Sequence, residues 1–401
     1  MSDMSTRIEP STFLRKASDI ASFYGFRPAQ SLGAILPREH RLTVTSSRIF
    51  DNVASACVHC LNEKIPLPPV IPGSHAPAVP VPTKDAMLCF NVNPSPTDTP
   101  EGIVAKDVAE FGISIVGSPG SIGEIVALKT MFAIMNDVGI KMRSVRVGSA
   151  GDKDSKARFA RELSVYFKKR GADIPECCED LASKDPLSMF NCKNDACKTL
   201  LREAPRAMNF LSEKSRSHFR EVLEYLERMD MPYELDDRLV HDHKSPHVLF
   251  SIDTEGDNNI VVGARGGRYD DYLKRLTGKK DATAVRASVF FQKKGASRSS
   301  LACETKQRQA KIYFIKLGLE ATLKGLTVLD GLRKAKIPVY QSFSSDRLAP
   351  QLTEAERLKV PYLIIMGQRE AMQDAVIVRR VETRSQNIVR IGDLPQFLRT
   401  V

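Results

Sequence analysis

The sequence predicts an α/β (α+β) chain in two units, a core over residues 1–292 and a mixed-sheet α/β layer over 310–401, joined by a linker at 293–309. Three observations predict it. Residues 310–401 alternate β-branched runs with helical periodicity, the pattern of helices layered on a sheet. Residues 1–292 mix amphipathic helices with separate strand-like runs, and Lys293–Gln309 between the units is polar, basic and rich in serine. The third observation is Gly263–Leu276, where Gly266 and Gly267 stand between a β-branched run and a helical one. Lacking Cβ atoms, the pair predicts a sharp strand-to-helix turn or a close approach by a ligand or facing strand.

Taken in order, residues 11–24 place Phe13, Ile20 and Phe23 at helical spacing and stop near Gly25. Residues 37–60 carry no clear pattern. Pro66, Pro68, Pro69, Pro72, Pro77, Pro80 and Pro82 make 65–82 an extended, exposed connection, because proline lacks the N–H that helices and central strands need. Met87–Val92 and Ala109–Gly117 read as strands. A helix opens at Glu124, with Ile125, Leu128, Phe132 and Met135 on one face, and Arg143–Val147 follows as a strand. Residues of about 150–230 form a helical, cysteine-bearing insert. Its first helix is capped at Gly151–Ser155, with an expected buried stripe of Phe159, Leu163 and Tyr166; Ser215–Asp230 is its last. Between them lie Cys177, Cys178, Cys192 and Cys197. Zinc would suit four thiols, but two are adjacent and C-x2-C pairs are missing from this stretch, so the reading is free thiols with no metal.

His241, His243 and His247 cluster in one segment, where Pro246 prevents a helix from stacking them as ligands; a solvated loop is expected. Beyond the glycines, Ala282–Phe291 reads as a strand. In the second unit, strands are expected at Lys311–Leu317, Ile337–Tyr340, Pro361–Met366 and Ala375–Val381. Helices are expected at Ala321–Ala335, Arg347–Leu358 and from Leu394.

At 401 residues, with 42% hydrophobic and 27% charged content, the composition is that of a globular protein, and no apolar run reaches membrane-spanning length. With no export signal read at the N-terminus, eight cysteines suit a reducing cytoplasm better than a disulfide scaffold. The net charge, 59 − 48 = +11, favours a polyanionic partner.

The string Gly266-Gly267-Arg268-Tyr269-Asp270, followed by Leu273, resembles the glycine-rich loop of histidyl-tRNA synthetases, a class II aminoacyl-tRNA synthetase family. Phe23–Arg27 and Ala109–Gly117 resemble two further segments of that family. Leu348–Leu352, Tyr362–Glu370 and Ala375–Arg380 resemble its anticodon-binding domain. The resemblance implies a class II synthetase-like antiparallel sheet core with helices. It also implies a homodimer through that core, although Leu32 stands where the family has an interface proline. ATP and Mg2+ would be cofactors only if ligase activity is retained.

In the family, the glycine loop lines the histidine and adenylate pocket. Carried over by position, the pocket here comprises Glu110, Ser114, His241, Gly266, Gly267, Arg268 and Tyr269. Glu110 and Ser114 replace a glutamine and a glutamate that hold the amino group of histidine; His241 replaces a catalytic arginine. No arginine for the ATP α-phosphate is recognisable near 65–92, and Arg286 sits too early for the family's ATP-stacking arginine. A histidine cannot reproduce a permanently charged, bidentate guanidinium. The sequence therefore reads as a diverged paralogue that binds tRNA with degenerate catalytic motifs, with Gln351, Arg369, Arg379 and Arg380 as RNA-binding candidates. Alternatives are an active histidine–tRNA ligase with a diverged pocket, or a regulator resembling the regulatory subunit of ATP phosphoribosyltransferase.

Overall fold

A computed structural model describes residues 8–29, 86–94, 96, 105–239, 247–255, 260–293, 310–343 and 346–400. The proline-rich connection, most of the histidine segment including His241 and His243, Leu32 and nearly all of the expected linker lie outside the described residues.

The core is one eight-stranded sheet in the order β1 (Arg27–Pro28), β2 (Met87–Asn93), β3 (Val108–Val116), β8 (Ala284–Gln292), β7 (Val261–Arg268), β6 (Val248–Thr254), β4 (Met142–Ser149), β5 (Glu234–Leu235). All pairings from β2 to β4 are antiparallel, and the two-residue edges β1 and β5 pair in parallel. β3 is buried at every position and β8 at all but the last. Their sequences alternate because the two faces differ in chemistry, and side chains alternate between faces along a strand. One face carries Phe111, Ile113, Ile115, Val285, Ala287, Val289 and Phe291; the other carries Glu110, Gly112 and Ser114 opposite Phe290, Ser288 and Arg286.

The apolar face is covered by α1 (Pro10–Phe23), whose Phe13 ring lies 4.7 Å from that of Phe291, and by α2 (Ile122–Asp137). α2 is buried nearly all round rather than along one stripe, because α1, the sheet, α6 (Glu213–Arg228) and α8 (Leu319–Lys334) surround it. The insert opens with α3 (Lys153–Lys169), capped by Asp152, whose carboxylate accepts from the Ser155 backbone N–H at 2.9 Å and from the Ser212 hydroxyl at 2.6 Å. Ser212 in turn caps α6, so the two helix ends share one polar knot. The buried stripe of α3 is Phe159, Leu163 and Phe167. Tyr166, expected inside, is half-buried and donates its hydroxyl to the Leu200 carbonyl at 2.9 Å. Between these helices lie α4 (Glu179–Lys184), α5 (Asp195–Arg202) and several 3-10 turns around a separate small core.

The glycine stretch corrects the sequence reading. Gly266 and Gly267 are not a turn but the interior of β7, which runs on to Arg268; the chain turns only at Tyr269, before α7 (Asp270–Thr277). The close approach was correctly anticipated: a Cβ on Gly266 would collide with the Arg286 carbonyl and lie 2.6 Å from the Phe250 ring.

The second unit is a five-stranded mixed sheet, β10 (Tyr340–Gln341), β9 (Ile312–Lys316), β11 (Tyr362–Met366), β12 (Ala375–Arg380), β13 (Gln386–Arg390). The first three strands are parallel and the last three antiparallel. Helices α8, α9 (Leu348–Arg357), α10 (Gln368–Met372) and α11 (Leu394–Phe397) complete it. Where α8 meets the core, Arg333 pairs with Asp137 at 3.1 Å, and Arg228 of α6 pairs with Glu320. Among the described residues, no helix is long and apolar enough to cross a membrane.

Candidate active site

The sheet separates the predicted pocket residues onto two sides. Gly267, opposite Arg286, belongs with Glu110 and Ser114 on the polar face. Gly266, opposite Ala287, and Arg268, opposite Val285, belong to the apolar face that the helices cover. Tyr269 is half-buried at the start of α7, its backbone N–H donating to the Ala284 carbonyl at 2.7 Å.

On the polar face, Arg286 fills the space that Glu110 and Ser114 define. Its Nη2 is ion-paired with Glu110 Oε1, and its Nη1 lies 3.4 Å from both Ser114 Oγ and Asn91 Oδ1. The guanidinium rests on Gly112, where a Cβ would come within 2.7 Å of Nη2. Glu110 also accepts from Ser288 Oγ at 2.5 Å and from Asn93 Nδ2 at 3.2 Å. Burial by itself would push the Glu110 carboxyl up, but the Arg286 charge and these hydrogen bonds hold it below the ordinary carboxylate value. The sequence reading set Arg286 aside. The available signal was a single carboxylate in one fully buried strand and a single guanidinium in its neighbour, since buried charges demand partners.

Across the sheet, Arg268 is a structural clamp. Its side chain is 2% exposed and forks onto Glu124 of α2, with Nε–Oε1 and Nη2–Oε2 both at 2.7 Å. It also donates to the Ser118 carbonyl at 2.9 Å and the Gly120 carbonyl at 2.7 Å, fixing the entry into α2. His218 of α6 adds Nε2 at 2.8 Å from Glu124 Oε1 and Nδ1 at 3.2 Å from Ser121 Oγ. Burial opposes the charge on Glu124, yet Arg268 and His218 hold its carboxyl down at about 2. Of the histidine segment, only His247 is described; its Nε2 lies 2.8 Å from Asp271 Oδ2 of α7.

These commitments bear on ATP. β7 and β8 bring three guanidinium groups here: Arg268 and Arg286 are each paired with a buried carboxylate, and Arg265, opposite Ser288 on the polar face, lies over the Phe290 ring at 5.4 Å. Phosphates are held by donors left available to them, and the two arginines paired with Glu124 and Glu110 are not, so no reaction step is derived through that cofactor.

In the second unit, Gln351 is turned inward. Its amide brackets the Lys316 backbone, accepting from the N–H at 3.0 Å and donating to the carbonyl at 2.7 Å, which spends it on the fold rather than on RNA. Arg369 and Arg380 are exposed and Arg379 is half-buried; Arg380 lies 3.4 Å from Glu382. The four sulfurs of the insert, read as unrelated thiols, converge instead on one point.

Residues 313–400 match the family model described as the anticodon binding domain. The chain is 28% identical over 297 residues to a histidine–tRNA ligase of Bacillus velezensis, covering 72% of this chain and 69% of that one. It is 27% identical over 318 residues to the histidine–tRNA ligase of Halalkalibacterium halodurans, covering 75% and 71%. Among solved structures, apo histidyl-tRNA synthetase of S. aureus matches with a TM-score of 0.40 and 20% identity, covering 78% of this chain and 76% of that one. A Bacillus halodurans structure described as an ATP phosphoribosyltransferase regulatory subunit/histidyl-tRNA synthetase matches at 0.39 and 11%, covering 92% and 97%. The chain is therefore similar to histidine–tRNA ligases over about three quarters of its length, and its residues 313–400 match the anticodon binding domain.

Proposed function

We propose that this protein is a tRNA-binding, histidyl-tRNA synthetase-like homodimer of the cytoplasm whose core no longer activates histidine. The observation that carries this reading is Arg286. The resemblance assigns Glu110 and Ser114 to the amino group of the substrate, and an internal guanidinium already sits between them. A substrate ammonium entering there would have to expel a buried cation and leave it unpaired. Breaking a buried pair in that way costs about 3–5 kcal/mol. The substitution of Arg268's expected pocket role by a clamp on Glu124, and of a catalytic arginine by His241, supports the same conclusion.

The tRNA half of the proposal rests on the anticodon-binding match at 313–400 and on the net charge of +11. Two measurements test the whole. Histidine-dependent ATP–pyrophosphate exchange should stay at background, and tRNA affinity should fall steeply with salt as phosphate contacts release counterions. Robust exchange would restore the active-ligase reading. Background exchange with absent or salt-insensitive RNA binding would leave a regulator as the better account.

A further inference from the structure

The small core of the insert holds a feature that the proposed function does not use. Cys177 and Cys178 end the 3-10 turn Glu176–Cys178, Cys192 follows the 3-10 helix Pro186–Asn191, and Cys197 lies in α5. Their four Sγ atoms all lie within 4.8 Å of one another. Cys177 Sγ is 4.0 Å from Cys178 Sγ, 3.9 Å from Cys192 Sγ and 3.8 Å from Cys197 Sγ. A tetrahedron with Zn–S bonds of about 2.3 Å has edges of about 3.8 Å, so the sulfurs already stand close to the corners that one ion requires. Bonded sulfurs would be about 2.0 Å apart, and none of the four is in a disulfide.

The objection from spacing is met by the backbone. The tight 3-10 turn and the change of direction at Cys178 (φ −126, ψ 3) let two adjacent residues aim their sulfurs at one point. Around it, Asn194 does the work expected of groups that support a thiolate. Its side-chain amide donates to Cys177 Sγ at 3.5 Å, and its backbone N–H donates to Cys192. Cys178 and Cys197 are buried, Cys192 is half-buried and Cys177 is exposed, which leaves an approach from solvent on one side.

We propose that Cys177, Cys178, Cys192 and Cys197 bind a single structural zinc ion. Four thiols lose four protons as four Zn–S bonds form, giving a closed site of net charge −2 with no open position for catalysis and no change of oxidation state. Its role follows from what it joins. α4 has six residues and α5 eight, lengths that are marginal as helices without outside support. The apolar core beneath them is small, centred on Phe159, Leu163, Leu187 and Met189. It also includes Leu249, which points to the same face of the large sheet as Gly267. The ion therefore staples together the wall of the insert that borders the polar face.

Full-length protein expressed with zinc and purified under reducing conditions should contain one zinc per chain by elemental analysis. Replacing it with cobalt(II) should give the intense visible bands of a tetrahedral tetrathiolate. Cys177→Ser/Cys192→Ser alters the two less buried ligands and leaves the buried pair in place. It should lose the metal, and residues 174–202 should become sensitive to protease while the far-UV circular dichroism of the core persists. Cys57→Ser/Cys60→Ser, which removes the Cys-Val-His-Cys segment elsewhere in the chain, should keep it. The proposal is overturned if reduced protein neither contains nor takes up zinc, if two of the four cysteines are joined in a disulfide, or if the metal is iron. It is equally overturned if the ion is lost with Cys57 and Cys60 but kept without Cys177 and Cys192.

Discussion

Replacing Glu124 by glutamine keeps the shape of the side chain and removes the carboxylate that forks onto Arg268 at 2.7 Å, leaving it only the longer contact with Asp270 at 3.4 Å. The wild-type carboxyl, ordinarily at 4.5, is held at about 2 by burial-opposed contacts with Arg268 and His218. A shift of that size corresponds to about 3 kcal/mol of stability at neutral pH. The general cost of breaking a buried pair, about 3–5 kcal/mol, points to the same range. The sign follows from a depressed carboxylate. Its contribution is complete above pH 4.5 and is lost as pH falls toward 2, where the folded form takes up the proton as well. The chain has no tryptophan, so urea unfolding is best followed by far-UV circular dichroism. With a denaturant slope of about 2 kcal/mol/M, the E124Q midpoint should fall by roughly 1.5 M at pH 7. The gap from wild type should close as pH drops below 4.5. Adding Arg268→Met removes the stranded cation, so the double variant should cost about 2 kcal/mol less than the sum of the single variants. It should not fully recover, because the carbonyls of Ser118 and Gly120 lose their donor. An unshifted midpoint, or strictly additive effects, would refute the clamp.

Gly266→Ala should destabilise the core by about 1–3 kcal/mol or more in the same unfolding assay, since the new Cβ meets a backbone carbonyl and the Phe250 ring, neither of which can step aside cheaply. Arg369→Ala and Arg380→Ala should each weaken tRNA binding and lower the salt slope by about 1 if they meet phosphates, while Gln351→Ala should lower thermal stability instead. Limited proteolysis should cut within 293–309 and release a C-terminal fragment of roughly 90 residues, with cutting inside 320–390 arguing against that boundary. Light scattering should give a dimer mass, and a concentration-independent monomer would end that part of the proposal.

Local chemistry made much of this protein legible from its sequence. The periodicity of residues 310–401, the Asp152 cap and the alternation in 109–117 are set by neighbours along the chain, and most of these elements appeared where they were expected; the strand expected at 337–340 is only Tyr340–Gln341, and the strand Gln386–Arg390 and the helix Gln368–Met372 were not anticipated. The family resemblance in the glycine string and the C-terminal segments was carried by short motifs of the same kind. Register was not legible, because it depends on which strands pair and by how many residues. Only the pairing of β7 with β8 sends Gly267 to one face and Arg268 to the other, although they are adjacent in sequence. Arg286 and Glu110, 176 residues apart, meet because β3 and β8 are neighbours in the sheet. The four cysteines looked badly spaced for chelation because spacing describes the path of the chain, whereas convergence of their sulfurs depends on turns that only the packed insert defines. Sequence determined the elements and carried the resemblance; tertiary packing decided which charges face each other, because burial requires every charge to find a partner, however distant along the chain.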